Sequence, residues 1–144
     1  MPPQTANWTC SACSLAWVLR ATAQDTNASE WDMVAAIGTP ENINPTYGLM
    51  DGSGSQLRRV LGNYGLDSTQ AWLNFDQVYA ISEQFTGMMS GGSWYHWVAI
   101  RGVTGNQIWI ANSARGYMGV YDTLTREQFN SLGPFSVVTV TEYE

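Results

Sequence analysis

The sequence predicts an α+β fold, with N-terminal helices packed on a C-terminal antiparallel sheet. Three observations carry that expectation. Apolar residues recur at helical spacing in the first third of the chain. Beyond Asp67 the pattern changes to short runs rich in β-branched and aromatic residues, bounded by Gly or Asn. No repeat, linker or low-complexity tract interrupts the 144 residues, so one domain over 1–144 is expected.

Over residues 10–22, Leu15, Ala16, Val18 and Leu19 make an apolar face of helical period free of Gly and Pro, with Thr9 as N-cap. A second helix over 29–37 is capped by Ser29, carries Glu30 and Asp32 at its positive end, and stops at Gly38. The segment "GTPENINPTYGLMDGSGS" reads as one long loop, of the kind that often serves a site. A short helix over 55–61 is closed by Gly62 or Gly65. "STQAWL" is a strand, "FDQVYAISEQF" a helix begun at Asp76, and "GMMS" a short buried strand. "WYHWVAIRGV", "NQIWIANS" and "YMGVYDTL" follow as strands. "TREQFNSL" is a last helix, with Thr125 and Gln128 spaced as a capping box, and "FSVVTVTEY" is the closing strand.

Composition narrows the function. With 44% apolar residues, seven Trp and seven Tyr, there is ample material for a core. Only 12% is charged, against about 25% in an average protein. The net charge of −6 argues against a nucleic-acid partner, because phosphate binding needs clustered Lys and Arg. Arg58 and Arg59 are the one adjacent pair, and a solvated helix face accounts for them. No stretch approaches the roughly 18 apolar residues a membrane span needs, so no membrane insertion is expected. "MPPQTANW" has neither a basic segment nor an apolar core, which implies cytoplasmic synthesis without a signal peptide unless the chain was cut from something longer. Two cysteines are too few for a secreted disulfide framework. "GSGS" at 52–55 follows no clear strand and reads as a turn, so no cofactor fingerprint is present.

The chemistry concentrates at both ends of the chain. In "QTANWTCSACSLAWVL" two cysteines stand three apart at a helix start, where unpaired N–H groups and the dipole favour a thiolate. Gln4 lies six residues ahead of Cys10, in a loop able to fold back over the helix start. Its amide and the Cys10 backbone N–H would then stabilise a tetrahedral oxyanion. The single histidine, His96, lies on a strand with Trp94, Val98 and Ile100 on its face and Tyr95, Trp97 and Ala99 on the other. Taken alone, a histidine there is more often a packed structural residue. Beside a cysteine it forms a thiolate–imidazolium pair that attacks carbonyls. The "TGN" turn at 104–106 sets residues whose numbers sum to about 210 opposite each other, bringing Asn112 near His96 as the group that holds its tautomer. Other readings of the thiols fit less well. A structural zinc site wants four ligands, a redox Cys-x-x-Cys is expected after a strand, and packing alone must explain Gln, Cys, His and Asn falling in order by chance.

That order resembles the papain-like cysteine peptidases. "CSACSLAWVLR" is most similar to their compact bacterial branch, typified by double-glycine-leader peptidases, where Cys-Gly-Pro-Ala-x-Leu-Ala-x-hydrophobic-Leu recurs. Counted from Cys10, Leu15, Ala16, Val18 and Leu19 match it. "YHWVAIRGVTGNQIWIANSARG" is similar to that branch's His-hydrophobic-Val segment, Gly turn, strand and closing Asp or Asn. The resemblance covers residues 4–22 and about 94–116, and the middle matches only in general order. Ser11-Ala12 replaces the branch's Gly-Pro, and Asn112 stands where many members have Asp. The Gln spacing and the Leu-Ala register select Cys10 as nucleophile. Papain's own Cys-x-x-Cys, in which the second cysteine reacts, would select Cys13, which is followed by Ser-Leu rather than Trp-Ala.

The resemblance implies a papain-like fold and peptide-bond hydrolysis through a thioester, by Cys10, His96 and Asn112 with Gln4 as oxyanion donor. It implies no cofactor or metal. Trp8, Trp94 and Trp97 wall a substrate cleft on this reading, or simply pack the core. The partner is a peptide or protein, acted on by a monomer. "GTPENINPTYGLMDGSG" is faintly similar to actinobacterial and mycobacteriophage lysins, which would make peptidoglycan peptides the substrate and the cell wall the destination. Inactive papain-like peptide-binding modules and transglutaminase-like acyl transferases are the alternatives.

Overall fold

The computed structural model describes residues 4–22, 24–94, 96–113 and 122–142. Helices α1 (Cys10–Ala21) and α2 (Glu30–Ile37) come first, then the two-residue strands β1 (Ile43–Asn44) and β2 (Gly48–Leu49) and helix α3 (Ser55–Asn63). Strand β3 (Asp67–Leu73), helix α4 (Phe75–Ser82), and strands β4 (Gly87–Gly91), β5 (Trp97–Thr104), β6 (Gln107–Ala111) and β7 (Thr123–Thr125) follow. Helix α5 (Arg126–Leu132) and strand β8 (Phe135–Glu142) complete the order. A six-stranded sheet runs β3-β8-β4-β5-β6-β7 with every neighbouring pair antiparallel. The α+β expectation holds.

Strand alternation sends successive residues to opposite faces of this sheet. Met88, Trp97, Ala99, Val138 and Val140 meet Leu15, Val18 and Leu19 of α1, Met33 and Ile37 of α2, and Leu57, Val60 and Leu61 of α3. Their neighbours Met89, Val98, Ile100 and Val137 meet Phe75 and Val78 of α4 and Phe129 of α5. The sheet is therefore covered by α1–α3 on one face and by α4 and α5 on the other.

Local signals translate into geometry where they are short-range. Ser29 caps α2 by accepting from Asp32 N–H at 3.3 Å. Thr125 and Gln128 form the capping box of α5. Four expectations change. Thr9 sits at the N-cap of α1, but its hydroxyl donates to Ala6 O at 2.9 Å and to the Glu30 carboxylate instead of capping the helix. Helix α4 is capped by Asn74, whose box with Gln77 begins the helix before Asp76. The long loop contains the β1–β2 ladder, turned by Asn44 Oδ1 accepting from the N–H groups of Thr46 and Tyr47. Finally, β5 begins at Trp97, so His96 stands immediately ahead of the strand rather than within it. Of the strand expected over 117–124, residues 117–121 lie outside the described residues, and β7 starts at Thr123.

Candidate active site

Helix α1 begins at Cys10, and its apolar face presses that first turn against β5. Cys10 is 8% exposed. The backbone N–H of Trp97 donates to its sulfur at 3.4 Å, so the thiol rests on the peptide joining His96 to Trp97. Burial pushes the Cys10 thiol above its ordinary value, while the N–H groups of Trp97, Ser11 and Cys10 itself pull the other way. The Ser14 hydroxyl bonds Cys10 O at 2.9 Å and ties that residue to the next turn.

His96 is 1% exposed. Its Nε2 lies 2.7 Å from Asn112 Oδ1. With the amide oxygen accepting, the neutral ring carries its proton on Nε2 and its lone pair on Nδ1. The Trp94 indole packs edge-on against the imidazole, with centroids 4.9 Å apart. The hairpin explains the meeting. Ala99 faces Ala111 and Ile100 faces Ile110, the pairing expected from the turn, and a bulge between Ile100 and Gly102 shifts the outer pairs by one residue. Asn112 directly follows β6. Burial pushes the imidazole below its ordinary value, and the bond to Asn112 opposes that. Desolvation thus pushes both groups toward their neutral forms, against the ion pair that the helix start alone would favour.

Gln4 is anchored 109 positions from its partner. Its backbone N–H donates to Ser113 O at 3.0 Å, and the Ser113 hydroxyl donates to its Oε1 at 2.8 Å. One hydrogen of its amide nitrogen goes to Ala6 O at 2.7 Å. Glu30 fixes the rest of this segment: its carboxylate accepts from Thr5 N–H and Thr5 Oγ1, each at 2.9 Å, and from Thr9 Oγ1. Burial, foremost, and the Glu30 charge push the Cys13 thiol up to about 12, while Ser113 pulls the other way.

A recess of about 120 Å³ opens at Cys10, lined by residues that include Trp8, Trp97, Tyr47, Leu49 and Ser90. Glycines allow close packing beside it. Gly54, with φ of 92°, has no room for a side chain, because a Cβ there would meet Trp97 Cη2 at 2.9 Å and Val138 Cγ2 at 2.8 Å. Gly48, at φ of 86°, faces the Trp8 carbonyl. Two of the three tryptophans singled out from sequence, Trp8 and Trp97, thus line the recess. Trp94 does not; it belongs to the opposite apolar cluster and backs the imidazole. Gln4 and His96 are not among the lining residues either. Among the described residues, larger hollows, such as one of about 430 Å³ between Trp72 and Pro134, contain none of these groups.

Sequence reasoning did not find Ser113, Tyr47, or Glu30 in its clamping role. Glu30 carried a signal, being an acid in the first turn of α2, but that spacing says nothing of its reach to Thr5 and Thr9.

Sequence comparison matches no protein-family model and no curated protein. Comparison of structures finds the fold. A double-glycine-motif protease from an AMS/PCAT transporter, solved in complex with the leader peptide, superposes with a TM-score of 0.71 at 18% identity, covering 96% of this chain and 89% of that one. The peptidase domain of Streptococcus ComA, a bifunctional ABC transporter involved in quorum sensing, gives 0.70 at 14% identity over 98% and 97%. A C39-like peptidase from Bacillus anthracis gives 0.66 at 12% identity over 100% and 95%. The chain has the papain-like fold of C39 peptidase domains. The resemblance read from residues 4–22 and 94–116 therefore extends, as fold, over nearly the whole chain.

Proposed function

We propose that this protein is a cysteine peptidase with Cys10 as nucleophile, His96 as general base and acid, Asn112 as its orienter and Gln4 as oxyanion donor. One observation carries the reading: the Cys10 sulfur rests on the Trp97 N–H, one peptide bond from an imidazole that Asn112 holds with Nδ1 unprotonated. Fold likeness to domains described as peptidases adds support.

In the reaction, the Cys10 proton passes to His96 Nδ1 as the sulfur attacks a peptide carbonyl. The oxyanion takes the Cys10 backbone N–H and the Gln4 side-chain amide. His96 then protonates the leaving amine, and the C–N bond breaks to leave a thioester. Water, deprotonated by His96, hydrolyses the thioester and frees the thiol. Asn112 keeps the ring oriented in both states, supporting imidazolium less strongly than a carboxylate would.

The substrate is a peptide or protein. A 120 Å³ recess between Trp8 and Trp97 favours small side chains next to the cleaved bond. Double-glycine peptides, casein and purified cell walls are three arms of one substrate assay, with Cys10→Ala as control in each. Adding a primary amine exposes acyl transfer, should the thioester prefer that acceptor.

The electrostatics set the pH test. Thiol and imidazole share one proton in the reactive state, so activity needs His96 unprotonated at the start and one proton still on the pair. With the imidazole lowered and the thiol raised, the plateau reaches below the usual histidine value of about 6.5 and above the usual thiol value of about 8.5. Iodoacetamide labelling of Cys10 should follow the same broad plateau. A rate that climbs only around a model thiol's pKa, unchanged in His96→Ala, would remove the imidazole from the mechanism.

A further inference from the structure

The proposed mechanism leaves one buried thiol unused. Cys13 is 6% exposed, and both thiols are free. Positions i and i+3 share one face of a helix, and helical geometry sets their Cα atoms about 5 Å apart. A disulfide spans Cα separations of roughly 4.4–6.8 Å, so the pair is within reach of a bond. Both lie in the first turn of α1, Cys10 as its first residue and Cys13 with its backbone N–H bonded to Thr9 O at 3.1 Å. The recess leads from outside to the Cys10 sulfur and has room for a small oxidant. The Glu30 carboxylate and the Ser113 hydroxyl lie near enough to act on the Cys13 thiol, Glu30 raising its pKa and Ser113 lowering it.

We propose that Cys10 and Cys13 form a redox pair: a hydroperoxide oxidises Cys10, and Cys13 then closes a reversible disulfide that switches the site off and shields it. The inference rests on reading Cys10 as the reactive thiol of the proposed peptidase. In the first step the Cys10 sulfur attacks the peroxide O–O bond, forming S–OH, while the other oxygen leaves with a proton as water or alcohol. In the second, the Cys13 sulfur displaces that hydroxyl, the S–S bond forms, and the hydroxyl leaves as water with the Cys13 proton. The peroxide accepts both electrons, and any dithiol reverses the change. Because Cys13 holds its proton tightly, the second step quickens as pH rises.

The test treats reduced protein with hydrogen peroxide, blocks remaining thiols with iodoacetamide and weighs the peptide that holds both cysteines. The expected product lacks two hydrogens and carries no label, and dithiothreitol restores labelling at both positions. In Cys13→Ser and Cys13→Ala, Cys10 should instead gather two or three oxygens, and the label recovered after dithiothreitol should fall about ten-fold. Having two variants, each checked by its melting curve, keeps a folding defect from standing in for the result. The proposal is overturned if wild-type Cys10 over-oxidises as fast as in the variants, if Cys10 resists peroxide altogether, or if the disulfide joins two chains. Peptide cleavage by the reduced protein is read separately. A disulfide without cleavage would sink the peptidase and keep the redox pair, and cleavage without a disulfide would do the reverse.

Discussion

The two faces of the sheet are built for different ends. Under α4 and α5, Phe129 stacks on Phe135 with centroids 4.1 Å apart, Phe75 meets Phe129 edge-on, and Trp94 seals the corner. Under α1, the packing is broken by polar groups: Thr9, Ser11, Ser14, the two thiols and the Gln4–Ser113 link are all gathered at one helix start. Aromatic burial is non-directional and tolerates repacking. Hydrogen bonds to a sulfur or an imidazole are directional and tolerate little. One face should therefore govern stability and the other reactivity, with His96 hinged between them, its ring against Trp94 and its Nε2 against Asn112.

The sharpest test of that division removes the sulfur. Cys10→Ala should cut peptide cleavage by about 10⁴-fold or more, since residues that act as a unit lose nearly everything with the nucleophile. Its melting temperature should stay near that of the wild type, because Ala keeps the helix start. A large drop in melting temperature would mean that the thiol is structural after all.

On the opposite face, Phe135→Ala deletes a fully buried ring stacked on Phe129 and should cost about 3–5 kcal/mol in denaturant unfolding. The folded fraction should label at Cys10 at the wild-type rate. If labelling fails while the fold persists, the two faces are coupled and the division breaks.

Asn112→Ala probes the hinge. Losing the acceptor at 2.7 Å frees the ring to turn and should lower kcat by about 10²-fold, with KM changed far less. The bond to Asn112 holds the imidazole's pKa up, so its loss lets burial push that value lower still. The acid edge of the pH profile should then move down, not up. An unmoved edge would mean that the profile reports some other group.

The chain announced the starts of α2 and α5 and its central hairpin because those depend on neighbours. Ser29 with Asp32 and Thr125 with Gln128 are three apart, and His96 reaches Asn112 through a short turn whose register follows from counting. The pairing of β3 with β8 joins Asp67 to Glu142, and Gln4 binds Ser113, across distances where spacing carries no signal. Thr9 misled for the same reason: a cap is a local expectation, and a carboxylate from α2 outcompeted it. Of the candidate site, the residue types and their order were legible. The shifts of thiol and imidazole toward neutrality were not, because they come from burial that only the assembled α1–β5 contact creates.

The smallest effect expected is at Ser11, which stands where the resembled branch has Gly. Its hydroxyl is fully buried in the first turn of α1 and has no hydrogen-bond partner among the described residues. Leaving such a group unpaired costs about 1–3 kcal/mol, and Ala is also the better helix former. Ser11→Ala should therefore raise stability by about 1 kcal/mol, read as a higher denaturant midpoint at unchanged slope. The backbone N–H of Ser11 that acts on the Cys10 sulfur is retained, so labelling at Cys10 should hold its rate. If stability rises while cleavage falls, the serine hydroxyl meets the substrate, and the reactive face carries one more group than the resting geometry reveals.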